Sequence, residues 1–283
     1  MDLEGRERVL ATLPLAQMTA FTHVSADGTR LCVPTTDARA LDDEAPLPPG
    51  KPDYGVDERV QAEGLSSYLR IFDTASGREL RCEPVPRAWV THVQFSPVDR
   101  ELILYNHEWP ADCGIRRMWL WDGHAGTHTR LRTEGGGRSR HDWTCHEMWE
   151  RDGSAIIYHG AFQGGPAYLG RIVLSSRELV EVPLPAAWHQ YGHFTVGQPG
   201  QLVSDGYFQT PETAAQKRGG AWLSLLQADW AAARLDWRPL ALHQSSWTSQ
   251  DAHPHPILDH ACRHVYFTSD FEGQRAVYRL PVV

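Results

Sequence analysis

The stretch "WTCHEMWERDGSAIIYHG", Trp143–Gly160, decides the fold. A histidine stands in a short run, Asp152-Gly153 marks a tight turn, and "AIIYH" follows. Asp-Gly supplies the backbone freedom that a two-residue hairpin connection requires. The run after it has the β-branched and aromatic bias of a strand. The stretch reads as a β-hairpin with a histidine on its first strand. The same order of histidine, short run, turn and apolar run recurs in "FTHVSADGTRLCVPT", "WVTHVQFSPVDRELILYN", "QYGHFTVGQPGQLVSDG" and "AHPHPILDHACRHVYFTSD". The histidines are His23, His92, His146, His193 and His255, separated by 69, 54, 47 and 62 residues.

A second hairpin often follows the first, as in "YLRIFDTASGREL", "RRMWLWDGHAGTHTRL", "AYLGRIVLSSRELVEV" and "AVYRLPV". Four strands in units of roughly 50 residues describe the blades of an all-β fold, the β-propeller. The innermost strand of each blade lines a central channel. A residue that recurs on that strand therefore converges on one axis, although its copies are far apart in the chain. About five blades are visible in a single domain over residues 1–283. The first is interrupted at about 35–64 by an acidic, Pro/Gly-rich segment read as a long loop. The chain starts almost directly in a blade, so it is either a small or open propeller or one that lacks N-terminal blades. Helical periodicity is confined to "AAQKRGGAW" and "LLQADWAAA".

Composition narrows the function classes. The 283 residues carry a formal net charge of −8, which argues against nucleic acid as the main partner. The five cysteines, Cys32, Cys82, Cys113, Cys145 and Cys262, are scattered and show no CxxC spacing. They read as buried thiols of a reducing compartment, not as a disulfide framework or a zinc–thiolate site. The N-terminus lacks the apolar core of a signal peptide, and no stretch has the length of a membrane helix. A cytoplasmic protein without a membrane partner is expected. Fifteen histidines and eleven tryptophans are the unusual counts. Histidine brings metal ligation and proton transfer near neutral pH.

"SQDAHPHP", Ser249–Pro256, gathers Gln250, His253 and His255 around Pro254. Read as a strand, it points both imidazoles to one face by alternation. A metal site and a polar loop are the two readings of this stretch.

At these residues the chain resembles the oligogalacturonate lyases, also called oligogalacturonide lyases, of polysaccharide lyase family 22. The pattern Gln-x-x-His-x-His followed by "VYFTSDFEG" carries most of the likeness. "TCHEMWERDGSAIIY", "RRMWLWD" and "YGHF…LVSDG" add three further segments in the right order, and the match runs from about Thr91 to the C-terminus. The chain is about two blades shorter at its N-terminus than the family's seven-bladed fold, and "CHEM", Cys145 to Met148, where the family has Thr-His-Glu-Phe, is a mild departure. The resemblance implies a manganese or other divalent metal ion held by His193, Gln250, His253 and His255. It implies His146 as Brønsted base and Arg117 as its catalytic partner.

The implied reaction is β-elimination on a short oligogalacturonate, a small acidic substrate, by a carbon–oxygen lyase. The residue types suit it. Three imidazoles and an amide oxygen are neutral ligands, and nitrogen and oxygen donors with open positions suit a Mn²⁺-type ion. A divalent cation offsets charge beside a carboxylate, arginine adds charge-assisted hydrogen bonds, and a neutral histidine is a suitable base. Rivals remain at several positions. A core role is open to His193, His141 competes with His146, and only one of the neighbours Arg116 and Arg117 can face a channel. His92, His107 and Trp247 are candidate substrate contacts, with packing the alternative for Trp247. Trp119, Trp121, Trp143 and Trp149 read as packing between blades. The competing function is a non-catalytic propeller platform, or a degenerate lyase homologue.

Overall fold

Ala155–Ala161 is buried over its first six residues and pairs antiparallel on both sides, with Trp143–Trp149 and with Ala167–Val173. The turn before it forms for the reason its sequence suggests. Asp152 Oδ1 accepts from the Ser154 amide at 2.9 Å, and Gly153 takes φ +71°, where a side chain is disfavoured. "FDTASG" repeats the device, with Asp73 Oδ1 accepting from the Ser76 amide at 2.7 Å. So does "WDGHAG", with Asp122 Oδ1 accepting from the His124 amide at 2.9 Å. On the next strand Gly170 faces Tyr158 across the ladder. A Cβ there would lie 2.3 Å from the phenol ring, so the aromatic ring lies on bare backbone.

The structure is a computed structural model. It describes residues 4–41, 55–108, 117–132, 143–161, 166–184, 188–190, 192–208 and 222–282. The chain divides into two compact units, Met1–Arg138 and Ser139–Val283. Among the described residues, the first unit holds two antiparallel sheets. One runs Gln17–Thr19, Arg30–Asp37, Ser66–Asp73, Glu79–Pro86, with His23–Val24 also paired to Arg30–Asp37. The other runs Val93–Phe95, Leu102–Asn106, Met118–Asp122, Thr127–Arg130. Their core joins Leu69, Ile71, Phe95, Ile103, Tyr105 and Trp121.

Among the described residues, the second unit holds three such sheets and a two-stranded ribbon. The first is Trp143–Trp149, Ala155–Ala161, Ala167–Val173, Leu179–Pro183. The next is Phe194–Val196, Gln201–Ser204, Trp222–Asp229, Arg234–Leu242. The last is Ile257–Leu258, His264–Ser269, Ala276–Pro281. A ribbon pairs Trp188–Gln190 with Tyr207–Phe208. Within this unit the leading strand of each sheet neighbours the leading strand of the next. Sequential meanders packed through their leading strands are the blades of a β-propeller.

Two expectations are corrected. The segment at about 35–64 is not a loop throughout. The strand Arg30–Asp37 runs into it, Ala38–Ala40 forms a 3-10 turn, and Gly55–Glu63 is an α-helix. Val56 and Val60, one turn apart, pack with Ala40 and Leu65, while Asp57 and Glu58 sit in the first turn, where the helix dipole favours acids. "LLQADWAAA" is not helical. Its first residues belong to Trp222–Asp229, which pairs with strands on both sides, and Trp230 to Ala233 form the hairpin turn that follows, where the Ala232 amide donates to Asp229 Oδ1 at 3.0 Å and Ala233 takes φ +48°. "AAQKRGGAW" lies almost wholly outside the described residues. Trp121 and Trp149 are buried, and Trp119 packs against the core of the first unit. No helix of the described residues is long and apolar enough to cross a membrane.

Candidate metal centre

The five repeated histidines occupy matching places. His23 opens His23–Val24, His92 directly precedes Val93–Phe95, and His193 directly precedes Phe194–Val196. His255 stands two residues before Ile257–Leu258, and His146 lies within Trp143–Trp149. In the second unit this phase brings rings together. Centroids lie 4.7 Å apart for His146 and His193, 3.9 Å for His193 and His255, and 5.5 Å for His193 and His253. One nitrogen each of His193, His253 and His255 lies within 4.8 Å of the others.

His253 and His255 reach this cluster by a route other than strand alternation. Gln250–Ala252 is a 3-10 turn, and the His253 amide donates to the Gln250 carbonyl at 3.1 Å. Pro254 and Pro256 have no N–H for a ladder, and His255 takes a left-handed φ of +43°. Side contacts fix the path instead. The Thr268 amide donates to the Pro254 carbonyl at 2.8 Å, and Thr195 Oγ1 to the Pro256 carbonyl at 2.6 Å. The two rings end 5.6 Å apart. Gln250 is exposed on the adjoining turn.

The residue that organises the cluster is Asp205, fully buried at the end of Gln201–Ser204. Its carboxylate accepts from the His193 amide at 2.6 Å, from His193 Nδ1 at 3.0 Å and from the His255 amide at 3.1 Å. A carboxylate that accepts from Nδ1 places the His193 proton there and leaves Nε2 as the donor atom, the usual support for a metal-bound imidazole. Gly192 permits this approach, because a Cβ there would lie 2.0 Å from Asp205 Oδ1.

The donor set fits a divalent cation. His253 Nδ1 is buried with no hydrogen-bond partner among the described residues. Burial, reinforced by the neighbouring His193, pushes the His253 imidazole below its ordinary range and that of His255 down to about 4. Both are therefore neutral near pH 7, the form that ligates metal. Trp247, itself at φ +58°, lies 4.4 Å from His253 and 6.1 Å from His193, ring to ring.

His146 sits where the strand ladder slips between Cys145 and Met148, with φ +50°. Its Nδ1 lies 2.7 Å from His159 Nε2 and 3.2 Å from the Gly192 carbonyl. A carbonyl only accepts, so the proton belongs on Nδ1 and the lone pair on Nε2. His159 is almost fully buried. The rival His141 lies outside the described residues.

Arg117 belongs to the first unit. It is 2 % exposed and donates to Glu108 Oε1 at 3.1 Å. Burial pushes the Glu108 carboxyl up, but His92, the Arg117 cation and Thr91 outweigh it and hold the group well below the usual carboxylate range. Asn106 Nδ2 and Thr91 Oγ1 also donate to Glu108, at 2.8 and 2.5 Å, and His92 Nδ1 stands 3.6 Å away. His92 stacks on Phe21 with 4.8 Å between centroids. His107 stacks on Trp119 with 4.8 Å between centroids. Arg116 lies outside the described residues.

Sequence reasoning missed Asp205, His159 and Glu108. Asp205-Gly206 reads as turn punctuation and His159 as part of an apolar run. Only the fold shows what their side chains meet.

Fold and site together define a β-propeller protein with an imidazole cluster at the leading strands of its blades. A family model described as oligogalacturonate lyase matches residues 83–283. The chain belongs to the oligogalacturonate lyase family. It is 24% identical over 210 residues to the oligogalacturonate lyase of Dickeya dadantii (strain 3937), and 28% identical over 203 residues to the oligogalacturonide lyase of Pectobacterium atrosepticum. Each match covers 67% of this chain and 49% of the relative, so the chain spans about half the length of the curated relatives it matches. A solved oligogalacturonate lyase in complex with manganese is similar over 98% of this chain and 69% of its own, with TM-score 0.76 and 21% identity. An oligogalacturonate lyase from Vibrio parahaemolyticus is similar over 100% and 71%, with TM-score 0.78 and 23% identity. These structural likenesses support the propeller fold.

Proposed function

We propose that the chain is a metal-dependent lyase that cleaves digalacturonate or its unsaturated form by β-elimination. One observation carries the proposal: three imidazoles with nitrogens within 4.8 Å of one another stand beside a fourth, His146, 4.7 Å from His193. His193, His253 and His255, with Gln250 from the adjoining turn, would hold the ion. Manganese is the choice, because the solved relative binds it and mixed nitrogen and oxygen donors suit it. When bound, the ion supplies Lewis-acid stabilisation of charge at the uronate carboxylate.

The chain's residues do the rest. Asp205 and Gly192 fix the orientation of His193. The His146 Nε2 lone pair removes the proton on C5, α to the carboxylate. The C4–O bond breaks, a C4–C5 double bond forms, and the departing oxygen takes up a proton. Trp247 offers an apolar ring face beside the ligands for a sugar. The roles of Arg117, His92 and His107 rest on the sequence reading alone. A cytoplasmic setting suits a substrate this small and is part of the same proposal.

Incubation with digalacturonate and Mn²⁺ tests the reading through the absorbance of the unsaturated or keto product. Bound metal without product overturns the substrate assignment. A non-catalytic platform would have no use for imidazoles at ligand spacing, and stoichiometric metal in the purified protein decides against it.

A further inference from the structure

We propose a second metal site, formed by Cys145, His146 and His159, that takes a zinc-type ion and shuts off the base. The geometry comes from the slipped ladder. Cys145 stands directly opposite His159, so their side chains share a face. His146, next in sequence to Cys145, would ordinarily point the other way. The irregularity between Cys145 and Met148, with His146 at φ +50°, cancels that alternation. All three side chains meet as a result, and one ligand atom from each lies within 4.8 Å of the others. Cys145 and His146 are half-buried and His159 is buried.

The chemistry differs from that of the neighbouring site. A thiolate and two imidazoles form a soft-to-borderline set suited to tetrahedral Zn²⁺, with a fourth position left to water. The centre at His193, His253 and His255 has no sulfur. His146 Nδ1 and His159 Nε2 are 2.7 Å apart and share a hydrogen bond. Tetrahedral ligands at zinc–nitrogen distances stand about 3.3 Å apart, so the two rings part by about half an ångström.

Proton bookkeeping gives the consequence. The Cys145 thiol releases its proton to solvent. Ligation through Nδ1 of His146 moves that ring's remaining proton to Nε2. The nitrogen proposed to accept the substrate proton is then an N–H and cannot act as a base. The inhibition rests on His146 being the base; the metal site does not.

Cobalt(II), a spectroscopic substitute for zinc, tests the site in the Mn²⁺-loaded protein. Titration is expected to raise a sulfur-to-cobalt charge-transfer absorption that saturates at one ion per chain. C145S and H159N are expected to lose it, and C82S to keep it. A wild-type protein without the band, or a band that survives in C145S, overturns the site. For inhibition, C145S is expected to lose the half-loss of turnover seen at the Zn²⁺ concentration that half-inhibits wild type, because the thiolate ligand is gone. Equal sensitivity overturns the inhibitory role. The absorption is read without any uronate, so failure of the lyase reading and failure of this site are separate results.

Discussion

Asp205 holds His193 by two atoms at once, accepting from its backbone amide at 2.6 Å and from its ring Nδ1 at 3.0 Å. The same carboxylate takes the His255 amide at 3.1 Å. Two candidate ligands from different blades are thus set by one buried side chain that lies outside the candidate ligand group.

Replacing that carboxylate should loosen the site. Asp205→Asn is expected to weaken Mn²⁺ binding about 10- to 100-fold, the ordinary cost of losing an outer partner of a metal-bound histidine. Gly192→Ala should act in the same direction, because its Cβ would displace Asp205 Oδ1. Calorimetric titration of Mn²⁺ checks both. Wild-type affinity in Asp205→Asn would remove the carboxylate from the account.

The contact between Tyr158 and Gly170 allows a test of the fold that is independent of function. Gly170→Ala places a methyl 2.3 Å from a fully buried ring. Overpacking of this kind costs about 1–3 kcal/mol. Thermal unfolding should show a lower midpoint, while a midpoint equal to wild type would mean the ring does not lie on the glycine.

Acid should weaken the metal-free protein through the imidazole cluster. His255 has its pKa lowered from 6.5 to about 4 by burial and by His193. Between those values the unfolded chain binds the proton and the folded chain does not. Stability from this group is therefore complete above 6.5 and is lost as pH falls towards 4. His255→Asn should flatten the dependence of the unfolding midpoint on pH in that window. An unchanged slope would show that His255 is not held neutral by the fold.

Much of the fold was legible because its signals are local. Asp152-Gly153 and Asp73 through Gly77 form the turns that their residue types dictate, and the histidine phase placed five distant residues at matching blade positions. The helix Gly55–Glu63 was hidden by its surroundings, since Pro/Gly-rich and acidic composition masked a short valine stripe. Alanines in "LLQADWAAA" suggested a helix, but Leu225 to Asp229 pair within a strand and the three terminal alanines lie in the hairpin turn that joins it to Arg234–Leu242. His253 and His255 do converge, yet through a 3-10 turn and a left-handed residue that alternation cannot describe. Asp205 and His159 were out of reach for another reason. Their roles exist only once separate strands approach, and no spacing in the chain encodes that.

The central claim is a division of labour, with His253 holding the ion and His146 moving the proton. Metal content and turnover of digalacturonate, measured on the same preparations of His253→Ala and His146→Ala, test it most directly. His253→Ala is expected to lose both metal and product. His146→Ala is expected to retain wild-type metal and lose product. Full turnover in His146→Ala, or bound metal at wild-type level in His253→Ala, would contradict the account.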